Sequence, residues 1–141
     1  GRVEDIRMAA GPMMGLGDVS KKTVPKMCLV SVPVSGGAIN TRTFIPHRVH
    51  EAIGVLGSVS VATACVIPGS VAQQVTAQDL GNGELVLEVE HPTGFFTVEM
   101  EVEGTRGESQ FSVRRAALLR TARLLMRGEV MVDLDLSGSS T

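Results

Sequence analysis

The stretch Val55-Leu56-Gly57-Ser58-Val59-Ser60-Val61-Ala62-Thr63-Ala64-Cys65-Val66-Ile67 decides the fold, and Pro68-Gly69 ends it sharply. It is the most apolar run of the chain, but it is shorter than the ~18–20 residues that a bilayer-spanning helix needs. Its small residues at 62–65 would let a sheet approach closely. The stretch therefore predicts a helix buried against a sheet, and no membrane partner.

Downstream of this helix the apolar residues recur with a period of two. Residues 71–77, 84–90 and 95–103 alternate, which predicts mostly antiparallel strands with one core face and one solvated face. Turn residues at 81–83 and 92–94 predict two hairpin closures. The glutamates follow the outward period, so we expect them to protect the surface and the sheet edges.

Upstream, residues 3–16 are rich in helix formers, and Pro12 predicts an irregular last turn. The apolar run at 26–32 predicts a strand buried on both faces. A turn at 35–37 leads into a second strand at 38–45. Residues 114–134 fit either a helix or a closing β-hairpin. The whole is an α+β fold, in which mostly antiparallel strands could wrap around the apolar helix.

Composition narrows the class of partner. The chain has 141 residues and a net charge of −2, with no basic block and no series of stacking aromatics, so we expect no nucleic acid partner. Cys28 and Cys65 lie far apart in apolar runs, which predicts buried thiols and a reducing cytoplasm. The chain begins with Gly1, which suggests a piece of a longer protein. We expect one lobe over 1–136 and a disordered tail over 137–141.

Four segments, in order, resemble the C-terminal half of PrpF-type isomerases, which share the diaminopimelate-epimerase-like fold and include 2-methylaconitate and aconitate isomerases and 4-oxalomesaconate tautomerases. The segments are Val24-Pro25-Lys26-Met27-Cys28-Leu29-Val30, residues 50–70 from His50-Glu51-Ala52 to Ile67-Pro68-Gly69-Ser70, His91-Pro92-Thr93-Gly94, and Arg120-Thr121-Ala122-Arg123-Leu124-Leu125-Met126-Arg127-Gly128-Glu129-Val130. Together they span nearly the whole chain.

The resemblance implies a two-lobed enzyme with its active site between the lobes. Each lobe would be a mixed, mostly antiparallel β-barrel around a central helix, and residues 120–130 would form a closing hairpin. The catalytic base and acid would lie mainly on the missing N-terminal lobe, so we expect the chain alone to be inactive. An uncovered lobe exposes an apolar interface, from which we also expect a homodimer.

By the same resemblance, the substrate is an aconitate-like unsaturated di- or tricarboxylic acid whose double bond is shifted without a cofactor. Such a reaction needs a base, an acid and donors that hold the carboxylates. A helix beginning offers backbone N–H groups, which makes Gly57, Ser58 and Val59 candidate substrate-binding residues, together with His50 and Arg48. His50 is also the one candidate for proton transfer in this chain.

Structural interpretations of the same residues stay open. Gly57 could serve simply to permit a turn, Ser58 to cap the helix, and His50 to hold the backbone by a hydrogen bond. His91, which precedes Pro92 in a turn, is expected to fix the hairpin. His47 and His50 have a spacing that can share a metal, but no third ligand is nearby, so we expect no metal. Leu56 and Glu51 stand where the family has Thr and Lys. This difference leaves a noncatalytic binding or interaction module as the alternative, with epimerisation or racemisation as a weaker third.

Overall fold

The computed structural model describes residues 1–45, 48–104, 112–119 and 122–131. Within these ranges the elements follow the order α1 (Arg2–Met13), β1 (Met27–Ser31), β2 (Ile39–Phe44), α2 (Val55–Val66), α3 (Val71–Val75), β3 (Gly83–His91), β4 (Gly94–Glu103) and β5 (Ser112–Leu118). The predicted class is confirmed: helices accompany a five-stranded, mostly antiparallel sheet.

The sheet has the strand order β1-β2-β3-β4-β5, in which only the β2–β3 pair is parallel. The chain crosses from β2 to β3 through α2 and α3, as a parallel connection requires. β1 and β5 are the two edges, so the described strands form an open sheet. Closure into a barrel stays a prediction.

The core lies between α2 and one face of the sheet. Ala62 and Cys65 of α2 are fully buried, as are Leu87 and Val89 of β3 and Val98 of β4. These strand residues belong to the apolar series of the alternating pattern, so the predicted inward face is confirmed for β3 and β4. The predicted apolar helix is confirmed as α2, and Gly69, with a φ of +76°, follows its end.

α1 belongs to a small unit of its own with the connection that follows it. The Arg7 guanidinium is buried, pairs with Glu4 and donates to the carbonyl oxygens of Val19, Lys22 and Val24. A Cβ at Gly11 would come within 2.5 Å of a Val19 methyl, so this close approach requires glycine. The predicted first helix is confirmed, with Pro12 inside its last turn.

Three predictions about strands are wrong. β1 has no buried residue, because it is an edge strand paired only with β2. Residues 71–75 form α3 rather than a strand, because the Ser70 hydroxyl accepts from the Gln73 N–H and caps a helical turn. The turn at 81–83 therefore leads into β3 without closing a hairpin. Pro92 and Thr93 do close one, since His91 pairs with Gly94.

Two further expectations also failed. Glu90 follows the outward period but is 2 % exposed, because the loop at 34–37 covers it. Of the segment that fitted either a helix or a hairpin, residues 114–118 belong to strand β5, whereas the described residues 122–131 have neither helix nor strand and do not form the closing hairpin. Five of their apolar side chains are more than three-quarters exposed, namely Leu124, Leu125, Met126, Val130 and Met131. The expected tail at 137–141 lies outside the described residues.

Candidate carboxylate site

α2 begins without a side-chain cap. Its N-cap is Gly54, with extended backbone angles of −72° and 155°, and there is no side-chain cap hydrogen bond. The first N–H groups of an α-helix have no partner inside the helix, and they carry the positive end of the helix dipole. No acidic residue lies in this turn. The arrangement leaves N–H donors of α2 available to an anion.

The structure separates the three α2 residues that the sequence grouped. Gly57 lies in the first turn, and its N–H is among the donors that have no i−4 partner. Ser58 is fully buried: its hydroxyl donates to the Val55 carbonyl oxygen at 2.8 Å, and its N–H donates to Gly54 at 2.9 Å. Ser58 is therefore not the cap of α2, and both of its donors serve the helix. Val59 packs partly against the core.

His50 has a fixed ring orientation. Its N–H donates to the Thr43 carbonyl oxygen at 2.8 Å, and its ring Nδ1 accepts the Ala52 N–H at 2.9 Å. Because Nδ1 accepts, the neutral ring carries its proton on Nε2, which is the nitrogen left for a ligand. Arg48 is exposed, and its carbonyl oxygen accepts from Ile45. Arg48 and His50 thus lie on the chain that leads from β2 to α2.

The β3–β4 hairpin joins this segment. The Thr93 hydroxyl donates to the Glu51 carbonyl oxygen at 2.8 Å across 42 positions of sequence. Beside it, the Thr93 N–H donates to the His91 Nδ1 at 3.3 Å. A backbone N–H can only donate, so Nδ1 of His91 accepts this bond in the neutral ring that carries its proton on Nε2, and the Thr93 hydroxyl oxygen also lies 3.2 Å from Nδ1. The two histidines therefore share one arrangement, with Nδ1 bound to the backbone two residues later.

A cavity of about 390 Å³ lies where the two segments meet. Its wall consists of Ala52, Ile53, His91, Phe95, Phe96, Thr97 and Leu119. No local sequence pattern groups these residues, because their meeting depends on packing between distant segments. The motif His91-Pro92-Thr93-Gly94 is the one indication in the sequence, through its resemblance to the family, although it predicts a structural role for His91.

Metal chemistry has no site among the described residues. Within them, no group of three or more His, Cys, Asp or Glu side chains could hold an ion. His47 lies outside the described ranges, as does Arg120. Burial raises the pKa of the thiols of Cys28 and Cys65 against weaker opposing hydrogen bonds. Both thiols therefore stay protonated near neutral pH. The predicted burial is confirmed for Cys65, whereas Cys28, on the edge strand β1, is only half-buried.

The same ranges contain no helix that is both long enough and apolar enough to cross a membrane. This agrees with the length of the apolar stretch at α2, which occupies 12 residues.

Two curated relatives are similar over almost the whole chain. The 4-oxalomesaconate tautomerase of Pseudomonas putida (strain KT2440) is 52 % identical over 97 % of this chain, which covers 36 % of that protein. The (4E)-oxalomesaconate Delta-isomerase of Novosphingobium sp. (strain KA1) is 53 % identical over 93 % of the chain and 35 % of its own length. The chain thus spans about a third of the length of these relatives.

A solved structure described as methylitaconate-delta-isomerase has a similar fold. Its TM-score is 0.64 at 21 % identity, over 84 % of this chain and 35 % of that one. The sequence pattern of the PrpF protein family matches residues 1–133. That match covers every strand of the described sheet and both segments of the candidate site. The chain belongs to the PrpF family.

Proposed function

We propose that this chain is the C-terminal lobe of a cofactor-independent isomerase, which shifts a double bond by proton transfer in an aconitate-like unsaturated di- or tricarboxylic acid. The observation that carries the proposal is the 52 % identity, over 97 % of the chain, to a protein named 4-oxalomesaconate tautomerase. The uncapped beginning of α2, next to an oriented His50, supports it from the geometry.

The role of this lobe is to hold substrate carboxylates. An anion at the beginning of α2 would accept the N–H of Gly57 and its neighbours in the first turn, where the helix dipole favours negative charge. Nε2 of His50 donates to the same carboxylate or passes a proton. Arg48 adds a positive charge from the exposed chain before it. Ser58 and Val59 shape the helix behind these donors.

The proton that moves needs a base and an acid beside the reacting carbons. Among the described residues, the cavity and the α2 beginning contribute imidazoles and N–H groups but no carboxylate or amine. In this proposal the base and acid come from the N-terminal lobe, and the chain by itself has no activity. The N–H and imidazole donors that hold the substrate carboxylates also stabilise the dienolate that forms when the first proton leaves.

A chimera tests this proposal. The chain replaces the corresponding third of the P. putida tautomerase, and conversion of 4-oxalomesaconate is followed by ultraviolet absorbance. We expect the chimera to turn over the substrate and the chain alone to show none. Turnover by the chain alone, or an inactive chimera with a folded circular dichroism spectrum, would contradict the proposal.

His50→Ala in the chimera tests the assigned donor. Loss of a hydrogen bond to a charged group costs about 1.5–3 kcal/mol, so we expect kcat/KM to fall roughly tenfold or more. Glu51→Gln is the matched control, because its side chain is exposed while its backbone keeps the bond to Thr93. An H50A variant as active as the E51Q control would exclude His50 from the site.

A further inference from the structure

We propose that the cavity between the 50–53 segment and the β3–β4 hairpin binds the planar carbon skeleton of the substrate, and that His91 donates from Nε2 to one of its carboxylates. This inference rests on the proposed function and adds a second substrate-binding histidine to it. His91 lies on β3, 41 positions away in sequence from the His50 donor, so the site would draw on two separate parts of the fold.

The cavity has the size and lining of a small-molecule site. Its volume of about 390 Å³ falls in the range of ligand pockets, roughly 300–1,000 Å³. Ile53, Phe95, Phe96 and Leu119 supply apolar wall, and His91 supplies the polar group, since the Thr97 hydroxyl donates to Glu88 at 2.8 Å. A conjugated acid has a flat, polarisable centre and charged ends, so it matches apolar surface with few donors.

The hydrogen bonds of His91 decide which of its ring atoms a ligand can use. Nδ1 accepts the Thr93 N–H inside the hairpin turn and lies 3.2 Å from the Thr93 hydroxyl oxygen, whose own proton goes to the Glu51 carbonyl oxygen. Nε2 is the remaining polar atom of a ring that lines the cavity. In the neutral form it is a donor, as a carboxylate requires.

The position of the cavity relative to α2 follows from the chain. Ala52 and Ile53 line the cavity and come directly before Gly54, the N-cap of α2. Ala52 also donates to the ring of His50. A substrate in the cavity would therefore have one end near His91 and the other near the first turn of α2. Two carboxylates of one molecule would be held by two different parts of the fold.

Two substitutions at His91 separate substrate binding from a purely structural role. In His91→Gln the side-chain amide reaches the former Nε2 position, whereas in His91→Asn the amide oxygen replaces Nδ1 and keeps the turn. Binding of trans-aconitate to the isotope-labelled chain is followed by amide shifts at Ala52, Gly57 and Thr93. We expect His91→Asn to weaken binding roughly tenfold, as loss of one bond to a charged group would. His91→Gln should stay within about threefold of the original chain.

The opposite ranking, with His91→Asn unchanged and His91→Gln impaired, would show that His91 only fixes the hairpin and would overturn the inference. Equal binding by both variants and the original chain would overturn it as well. So would the absence of any shift in the original chain at saturating ligand. If the chimera still turned over 4-oxalomesaconate in any of these cases, the proposed function would stand without the His91 site. Thermal unfolding of each variant confirms that it is folded.

Discussion

Glu90 is a carboxylate inside the fold, held by backbone donors. Its oxygens accept the N–H groups of Val34, Ser35 and Gly37 at 2.7–2.8 Å. Burial alone would raise the pKa of Glu90, but these three donors and the charge of Arg42 outweigh it. The pKa therefore lies below its ordinary value. The ionised form is thus the one that the fold requires.

We expect Glu90→Gln to destabilise the chain by about 2–3 kcal/mol, because an amide cannot accept three N–H bonds as a carboxylate does. Since the pKa of Glu90 is lowered by folding, its contribution is complete above the ordinary carboxyl range and is lost as the pH falls through the folded-state value. Urea unfolding across the acid range measures both effects. Glu84→Gln, an exposed site on the same strand, is the control. Equal losses in the two variants would contradict the assignment.

At the residue scale, sequence alone could not place Glu90. Its position in the alternating series is outward, and that part of the prediction follows the backbone correctly. The loop that covers Glu90 precedes it by 53 to 56 positions in the sequence, and no local pattern reveals a contact over that separation. Gly37 shows the same limit, since a Cβ there would meet the Glu88 carbonyl oxygen at 2.7 Å. By contrast, His50 and Gly57 could be proposed from sequence because they lie within one short segment, and their role stays a prediction.

At the scale of elements, β3 and β4 were predictable because their alternation extends over nine or more residues, and α2 because its apolar run continues over 12 residues. Residues 71–75 are too short a segment for the apolar pattern to distinguish a strand from a helix. Val71 and Val75 fit a strand with a period of two, but they also lie four apart on a helix. Ser70 decides the conformation through its bond to Gln73, and its hydroxyl also donates to the Ala64 carbonyl oxygen at the end of α2.

We expect Ser70→Ala to destabilise the chain by about 1 kcal/mol, the usual cost of removing a cap. Ser60→Ala provides the comparison, because that exposed hydroxyl bonds only within α2, to Leu56, and its loss should change stability by less than about 0.5 kcal/mol. Chemical unfolding monitored by far-ultraviolet circular dichroism gives both values. Matching midpoints for the two variants would show that the α2–α3 corner does not depend on Ser70.

At the scale of the whole molecule, residues 122–131 form a segment whose apolar side chains are mostly exposed to solvent. Leu124, Leu125 and Met126 are 80–85 % exposed in a row, and they have no helix or strand to support them. Surfaces of this kind promote association in water. The open edges of β1 and β5 add unpaired backbone groups.

We therefore expect the isolated chain to self-associate, and the predicted homodimer is one form that this association could take. Replacing Leu124, Leu125 and Met126 together with Ser should shift the population toward the monomer, because the apolar area that drives association is removed. Sedimentation velocity over a wide concentration range measures the change. Replacing the exposed Arg123 and Arg127 with Ser is the control, in which association should persist. A chain that is monomeric throughout would contradict the expectation.

The parallel pairing of β2 with β3 is much shorter than the antiparallel pairing of β3 with β4. Only Ile39 with Val89 and Asn40 with Glu90 are in register there, whereas β3 and β4 pair along nine positions. The hydrogen bonds that the 34–37 loop donates to the Glu90 carboxylate also connect the β1–β2 segment to β3. The β1–β2 ribbon is joined to β3–β5 by this short register, by the Ala38 N–H and the Thr41 hydroxyl, which donate to β3 carbonyl oxygens, and by the Glu90 carboxylate. Partial opening of the native state would begin at that joint, and protonation of a single side chain would set how easily it opens.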